Sequence, residues 1–328
     1  MNVKTLLKIV NFYIRFTPNY TKIGYLARRP FWGRSGAPDF SGQRWVITGA
    51  SSGLGQSMVH TAADAGAEVI AVGRSQSNLD AAIADLSADA AARVTTMVAD
   101  MSLQSGTQEL LDRLLGSRKK IDVLMNNVGI LLNDCTLTSE GRETSFAVNI
   151  LSHFLLTEGL ADNDGFSGDA VVVNMTSGGM YNAPLGIAGL NRTQGKSYNG
   201  KASYAFAKRA QASLTPYWNR KYAAKGIRFY VTHPGWARTP GVKRSLPMFW
   251  KLQYLILRTP RQGADTAIWL CATRPEVAAE DNVWFDRKPR AAHMYEATRT
   301  PQCTVEELAD YLRSELTSHS EVASAGVA

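Results

Sequence analysis

Residues 45–55 read WVITGASSGLG. Trp45, Val46, Ile47 and Thr48 form a short apolar run of the kind buried in a sheet. The run passes directly into Gly49, Gly53 and Gly55, and a helical pattern follows over about 53–66. A strand feeding a glycine-rich turn and then a helix start suits a pyrophosphate. The glycines permit a tight turn and close backbone approach, and the helix start offers free N–H groups and a positive dipole end. A plain glycine-rich turn would carry the same letters, so the rest of the chain must decide.

Working outward, strand-like and helical runs alternate. Strands are predicted at 45–48, 68–72, 94–99, 121–125, 170–175, 227–232 and 282–285. Helices are predicted near 53–66, 77–87, 103–116, 139–160, 201–224 and 261–272. Apolar strands separated by helices predict an α/β fold with a doubly wound parallel sheet buried on both faces, in a single Rossmann-type domain over 41–290. An amphipathic N-terminal helix and arm over 1–40 precede it. A C-terminal extension over 291–328 follows, with a last helix that Thr304 and Glu307 start as a capping box, and a frayed tail.

Composition narrows the partners. The net charge of the 328 residues is +8, and Lys4, Lys8, Arg15, Lys22, Arg28, Arg29 and Arg34 precede the first acid, Asp39. The body of the chain is therefore near neutral, and nucleic acid is not an expected partner. Cys135, Cys271 and Cys303 stand far apart without metal spacing, and the five histidines form no ligand pair, so no metal is proposed. Idle thiols suit a reducing compartment, and the expected location is cytoplasmic. The apolar stretch near the start is interrupted by charge and lacks a cleavage site, and no run of 18 apolar residues exists.

A second stretch bears on chemistry. Residues 203–210 read SYAFAKRA, which puts Tyr204 and Lys208 on one face of a helix. Taken with TGASSGLG, this pair resembles the short-chain dehydrogenase/reductase family. Other parts fall in the family's order: Asp100 after the third strand, Asn126-Asn127-Val128-Gly129 after the fourth, Asn149 in the next helix, Thr176-Ser177 ending the fifth strand, and Pro234-Gly235 after the sixth. Within the family, the long Ser177–Tyr204 spacing resembles retinol-dehydrogenase-like members. The stretches TSGGM, HPGWARTPGV, RQGADT and FDRKP, with the NFYIRF…YTKIGY arm, look like the subgroup called dehydrogenase/reductase family member 12.

The resemblance implies an oxidoreductase interconverting an alcohol and a carbonyl, with Asn149, Ser177, Tyr204 and Lys208 in the catalytic roles. It assigns the nicotinamide dinucleotide to Gly49, Ser51, Ser52, Gly53, Leu54 and Gly55 in the first turn, and to Arg74 after the second strand. Asp100, Met101, Asn127, Val128 and Gly129 follow, then Tyr204 and Lys208, and finally Pro234, Gly235 and Thr239. A free tyrosine titrates near 10, and a cationic neighbour favours the phenolate. Lys208 is thus expected to lower the Tyr204 pKa, and Asn149 to hold a water that links Lys208 to solvent. The second strand ends Val72-Gly73-Arg74-Ser75, with no acid to accept from a ribose 2′-hydroxyl, so NADP(H) is expected over NAD(H). Ser52 occupies the family's other common basic position.

Two further stretches suggest a lipophilic substrate. Residues 236–258 hold Trp236, Val242, Leu246, Met248, Phe249, Trp250, Leu252, Tyr254, Leu255, Ile256 and Leu257, among Lys243, Arg244, Lys251 and Arg258, four cations that would also suit a membrane surface. Either a helix packed on the domain or an apolar lid over the substrate fits. In residues 1–17, Val3, Leu6, Leu7, Val10 and Ile14 share a helical face opposite Lys4, Lys8, Asn11 and Arg15, and Pro18 ends the pattern. Such a helix would lie on an anionic membrane surface as a peripheral anchor, or dock on the body or on a second copy in a homodimer. Two other classes compete: a non-catalytic dinucleotide-binding sensor or scaffold, and a nucleotide-sugar epimerase or dehydratase. The complete Ser–Tyr–Lys set weighs against the first. The glycine spacing and the missing C-terminal sugar domain weigh against the second.

Overall fold

The computed structural model describes residues 16–33, 36–193 and 198–325, the last eight by backbone alone. Eight strands form one sheet in the order β3-β2-β1-β4-β5-β6-β7-β8. They are β1 (Arg44–Thr48), β2 (Glu68–Gly73), β3 (Val94–Val98), β4 (Ile121–Asn126), β5 (Phe166–Met175), β6 (Arg228–Thr232), β7 (Asn282–Phe285) and β8 (Lys288–Ala291). All neighbours are parallel except β7 and β8. After β3 the chain returns across the sheet to place β4 beside β1. That reversal opens a crevice at the carboxyl ends of β1 and β4, where doubly wound sheets bind ligands.

The helices are α1 (Lys22–Arg28), α2 (Gly53–Asp64), α3 (Gln76–Ile83), α4 (Ala88–Ala91), α5 (Gln104–Gly116), α6 (Thr144–Phe146), α7 (Ser152–Asp162), α8 (Gly200–Lys221), α9 (Pro240–Ser245), α10 (Pro247–Gln253), α11 (Pro260–Thr273) and α12 (Val305–Ala325). Alternate strand residues point to opposite faces. Val46, Ile70, Leu124 and Val172 join a core with Leu110, Phe154 and Trp218. Trp45, Ile47, Val69, Val123 and Val171 join another with Met58, Ala267 and Leu270. Leu308 and Leu312 of α12 enter the first core, and the capping box that starts α12 is formed by Thr304 and Glu307.

Several boundaries differ from the sequence reading. The helix expected over 77–87 splits, because Ser75 and Ser87 each cap a new helix start. The helix expected from 139 begins only at Thr144. Glu143 accepts from the N–H groups of Ser145 and Phe146, and Gly141 turns at φ +76°. Between α6 and α7 the chain makes one π-helical turn, Ala147–Leu151. The sheet is not wholly parallel. Strand β8 pairs antiparallel through a two-residue turn, Asp286-Arg287, with φ +50° and +59°. Two positive φ values match the twist of a tight hairpin, which usually takes Asn-Gly.

The arm also differs. Residues 16–20 are helical, and Pro18 lies inside the run instead of ending it. The amphipathic face assigned to residues 1–17 falls largely outside the described residues. The arm from Phe16 wraps the body: Phe16 and Tyr20 are buried with Met180, Tyr181, Val231, Val283 and Phe285.

Candidate active site

The two turns at the crevice are stitched together by Thr48. Its Oγ1 donates to the Met125 carbonyl at 3.0 Å and accepts from the N–H groups of Asn127 at 3.0 Å and Val128 at 3.1 Å. Asn127 Nδ2 donates back to the Thr48 carbonyl at 2.8 Å. A Cβ on Gly55 would stand 2.1 Å from the Gly49 carbonyl oxygen, so only glycine lets α2 start this close to the turn. Ser52 begins α2 without a side-chain cap, in contrast to Ser75 on α3, Asn199 on α8 and Thr259 on α11. The first-turn N–H groups of α2 are thus left to an outside acceptor. A cradle that a Cβ would fill and an uncapped helix start fit the phosphates of a dinucleotide.

The other expected cofactor residues surround this cradle. Ala50 N–H donates to the Val72 carbonyl, tying the turn to the end of β2, where Arg74 is exposed. Asp100 accepts from the Ser102 N–H at 2.9 Å and hydroxyl at 2.7 Å, and Met101 is buried. Thr239 caps α9 and lies against Gly53, whose added Cβ would come within 3.1 Å of its Cγ2. Gly235 faces another way: at φ +72°, its open side meets the Arg258 guanidinium and the Tyr20 carbonyl.

The four residues expected to carry catalysis converge beside the cradle. The Tyr204 ring packs on Gly179, where a Cβ would lie 3.1 Å from Cδ1, and Ser177 is near enough to act on its phenol. Ser177 Oγ also accepts from the Gly179 N–H at 3.1 Å. Gly129 fits between Asn149 and Lys208, since a Cβ there would stand 2.9 Å from Asn149 Oδ1 and 3.4 Å from Lys208 Nζ. Asn149 lies in the π turn and clasps the backbone of Ile130, accepting from its N–H at 3.0 Å and donating to its carbonyl at 2.7 Å. Its amide also donates to the Ser145 carbonyl and hydroxyl. The Asn149 side chain therefore fixes the loop after β4.

The electrostatics differ from the sequence expectation. Burial pushes the Tyr204 phenol above its ordinary pKa, and Ser177 acts against that shift. Burial pushes Lys208 down to about 7. The Lys208 ammonium faces the Met175 carbonyl at 2.9 Å and Gln211 Oε1 at 3.1 Å, and stands 5.9 Å from the Tyr204 ring centroid. Desolvation outweighs the cationic neighbour here because Lys208 is deep and its ammonium is turned toward the strand, while Tyr204 is half-buried.

Sequence reasoning missed three residues that build the site and misplaced a fourth. Glu143 is buried and, besides capping α6, accepts from Ser203 at 2.8 Å and Tyr198 at 2.9 Å, which locks the start of α8. Gln211 and His153 stand behind Lys208. Arg258, expected with the other cations of the insert to suit a membrane surface, is instead buried and grips Asp286 at 2.6 and 2.9 Å, because an ion pair satisfies its charge inside the fold. A charge inside an otherwise apolar stretch was the available signal for Arg258. The insert reading resolves into two short helices, α9 and α10, that leave Met248, Leu252 and Leu255 exposed. Ser245 Oγ donates to the Leu131 carbonyl at 2.7 Å, so the insert bridges to the loop after β4.

A family model described as short chain dehydrogenase matches residues 43–248. Dehydrogenase/reductase SDR family member 12 of Bos taurus is 32% identical over 291 residues, covering 88% of this chain and 90% of that protein. Retinol dehydrogenase 12 of Bos taurus is 32% identical over 227 residues, covering 68% of this chain and 71% of that protein. Among solved structures, a candidate NAD(P)-dependent gluconate 5-dehydrogenase from Beutenbergia cavernae, with NADP bound at low occupancy, superposes with a TM-score of 0.56. It shares 22% identity and covers 72% of this chain and 92% of that one.

Proposed function

The chain belongs to the short chain dehydrogenase family and is an alcohol/carbonyl oxidoreductase; we propose that it uses NADP(H) and acts on a lipophilic substrate. One observation carries the catalytic assignment: Ser177, Tyr204, Lys208 and Asn149 meet beside a glycine cradle at the sheet's switch point. The nicotinamide, when bound, would supply the hydride chemistry. Gly49, Gly53 and Gly55 would admit its pyrophosphate to the uncapped start of α2. Tyr204 would give its phenolic proton to a carbonyl oxygen, or take one from an alcohol. Ser177 would donate a hydrogen bond to that oxygen as charge develops on it. Lys208, as a cation, would favour the phenolate and thereby set the pH at which Tyr204 works.

Arg74 supports the cofactor preference. It is exposed at the end of β2, no ion pair holds it among the described residues, and no acid precedes it there. A guanidinium fork suits a 2′-phosphate. The lipophilic substrate is supported by the exposed apolar insert and by relatives named retinol dehydrogenase. The insert carries Lys243, Arg244 and Lys251 and lies beside α1, through a hydrogen bond from the Lys22 N–H to the Ile256 carbonyl. On α1, Ile23 and Leu26 are exposed as well. This face suits peripheral attachment to an anionic membrane, and among the described residues no helix is long and apolar enough to cross one. The test is a panel of retinal, long-chain and short-chain aldehydes with NADPH and NADH. Reduction of the long substrates with NADPH is the expected result. Turnover that favours short polar carbonyls or NADH would overturn the finer reading.

A further inference from the structure

Behind Lys208 runs a buried polar chain that the reaction as described does not use. Lys208 Nζ donates to Gln211 Oε1 at 3.1 Å. The Gln211 amide then meets His153 Nδ1 at 2.8 Å. Gln211 and His153 have no exposed surface; His153 Nε2 makes no well-aligned hydrogen bond, and the Val128 backbone acts on the ring as an acceptor. We infer that Gln211 and His153 are positioning residues for Lys208: the imidazole fixes the Gln211 amide, and the amide oxygen holds the ammonium. This rests on the catalytic role assigned to Lys208 above.

A glutamine amide has a donor end and an acceptor end. Facing an ammonium, which only donates, it must present its oxygen. Its nitrogen is then turned to His153, so Nδ1 must offer a lone pair and the ring proton must sit on Nε2. Burial, with the Lys208 charge beside it, keeps His153 well below its ordinary pKa and therefore neutral. Were Nδ1 to carry a proton, it would claim the Gln211 oxygen and swing the NH2 group against the ammonium. The groups around Lys208 are few. Tyr204 lies one turn away on α8, Asn149 approaches from the π turn and His153 from α7, and among the described residues no carboxylate pairs with Lys208. The amide oxygen is thus the only side-chain acceptor hydrogen-bonded to Nζ there. Removing it makes the cation harder to keep, and a site without that cation ionises Tyr204 only at higher pH.

The test uses the full chain and has two readouts. Nitrogen-15 NMR of the histidine rings, without cofactor or substrate, should find His153 neutral and protonated on Nε2 from pH 5 to 9. A proton on Nδ1, or titration inside that range, would overturn the inference whether or not the enzyme assignment holds. In alcohol oxidation, Gln211→Met should move the acidic limb of the kcat–pH profile up by about one pH unit, a roughly tenfold loss on that limb. Gln211→Glu, which keeps an acceptor, should leave the limb at or below its wild-type position. A limb unchanged in both variants would reduce the pair to packing. If Gln211→Met fails to fold, the wild-type histidine spectrum still decides.

Discussion

The glycine turn after β1 and the insert after β6 both border the crevice, yet different contacts hold them. The turn is fastened by Thr48, Asn127 and the Gly49–Gly55 approach, all between backbone groups or short side chains of two neighbouring strands. The insert is fastened from far away. Its ends pair through Ala237 and Arg258, and Arg258 reaches Asp286 and the carbonyls of Asn19 and Thr21. Arg28 of the arm grips the same carboxylate at 2.7 Å, and the Trp236 N–H donates to the Tyr20 carbonyl. The glycine turn is therefore fastened by groups of β1, β4 and the turns that follow them. The insert is fastened by the N-terminal arm, which packs against Gly235 and Trp236 at its base.

The sharpest break between the sides is chemical. Tyr204→Phe keeps the ring against Gly179 and removes only the hydroxyl proposed to move the proton. Turnover should fall by about 10²–10⁴-fold, the range for a positioned acid or base. Cofactor affinity, measured by titration of nicotinamide fluorescence, should stay within a few-fold, because the cradle is untouched. Near-normal turnover would show that another group moves the proton.

The clasp comes next. Asp286→Ala leaves Arg258 buried without its carboxylate and strips Arg28 of its partner. Removing one partner of a buried ion pair costs about 3–5 kcal/mol. Urea unfolding should show most of that loss. In the surviving folded protein, KM for long substrates should rise more than KM for the cofactor. Equal damage to cofactor binding would mean that the two sides are not separately fastened.

That contrast also explains what the sequence revealed. The cradle was legible because its residues are consecutive and each is needed for a local reason: a tight turn, a close approach, a helix start. Tyr204 and Lys208 were singled out by their spacing on one helix face, and Ser177 by a family resemblance; the structure brings the three together. The roles of Arg258 and Asp286 were not, because they pair with each other across 28 residues and with Asn19, Thr21 and Arg28 of the arm from the far end of the chain. Strand β8 was missed because its turn reads Asp-Arg instead of Asn-Gly. The turn's strained φ values are held by the two arginines on the Asp286 carboxylate. The π turn at Asn149 and the depressed Lys208 pKa arise from packing, which no local pattern records.

A smaller effect tests the cofactor side alone. Arg74→Ala should narrow the NADP(H) preference by roughly 10–100-fold, as loss of hydrogen bonds to a charged group costs about 1.5–3 kcal/mol. The change should appear in the ratio of kcat/KM for the two cofactors, with NAD(H) values nearly constant. A ratio unmoved by the substitution would shift the preference to another residue.

The smallest effect tests the arm-and-insert side against solvent. No acid occurs between Trp236 and Ala264, and Lys243, Arg244 and Lys251 are exposed with Met248, Leu252 and Leu255. A basic residue near an anionic bilayer contributes about 1 kcal/mol. Lys251→Ser should therefore lower co-sedimentation with phosphatidylserine vesicles by about fivefold at low salt. The difference should fade near 0.5 M salt, where screening shortens the reach of the charge to a few ångströms. Lys119 is the control: it is equally exposed but leads into β4, at the end of the sheet opposite the crevice, and pairs with Glu68. Lys119→Ser should change binding little. Equal losses in both variants would mean that net charge alone draws the protein to the vesicle. Binding indifferent to both substitutions and to salt would leave the exposed apolar face of the insert to a partner other than an anionic membrane.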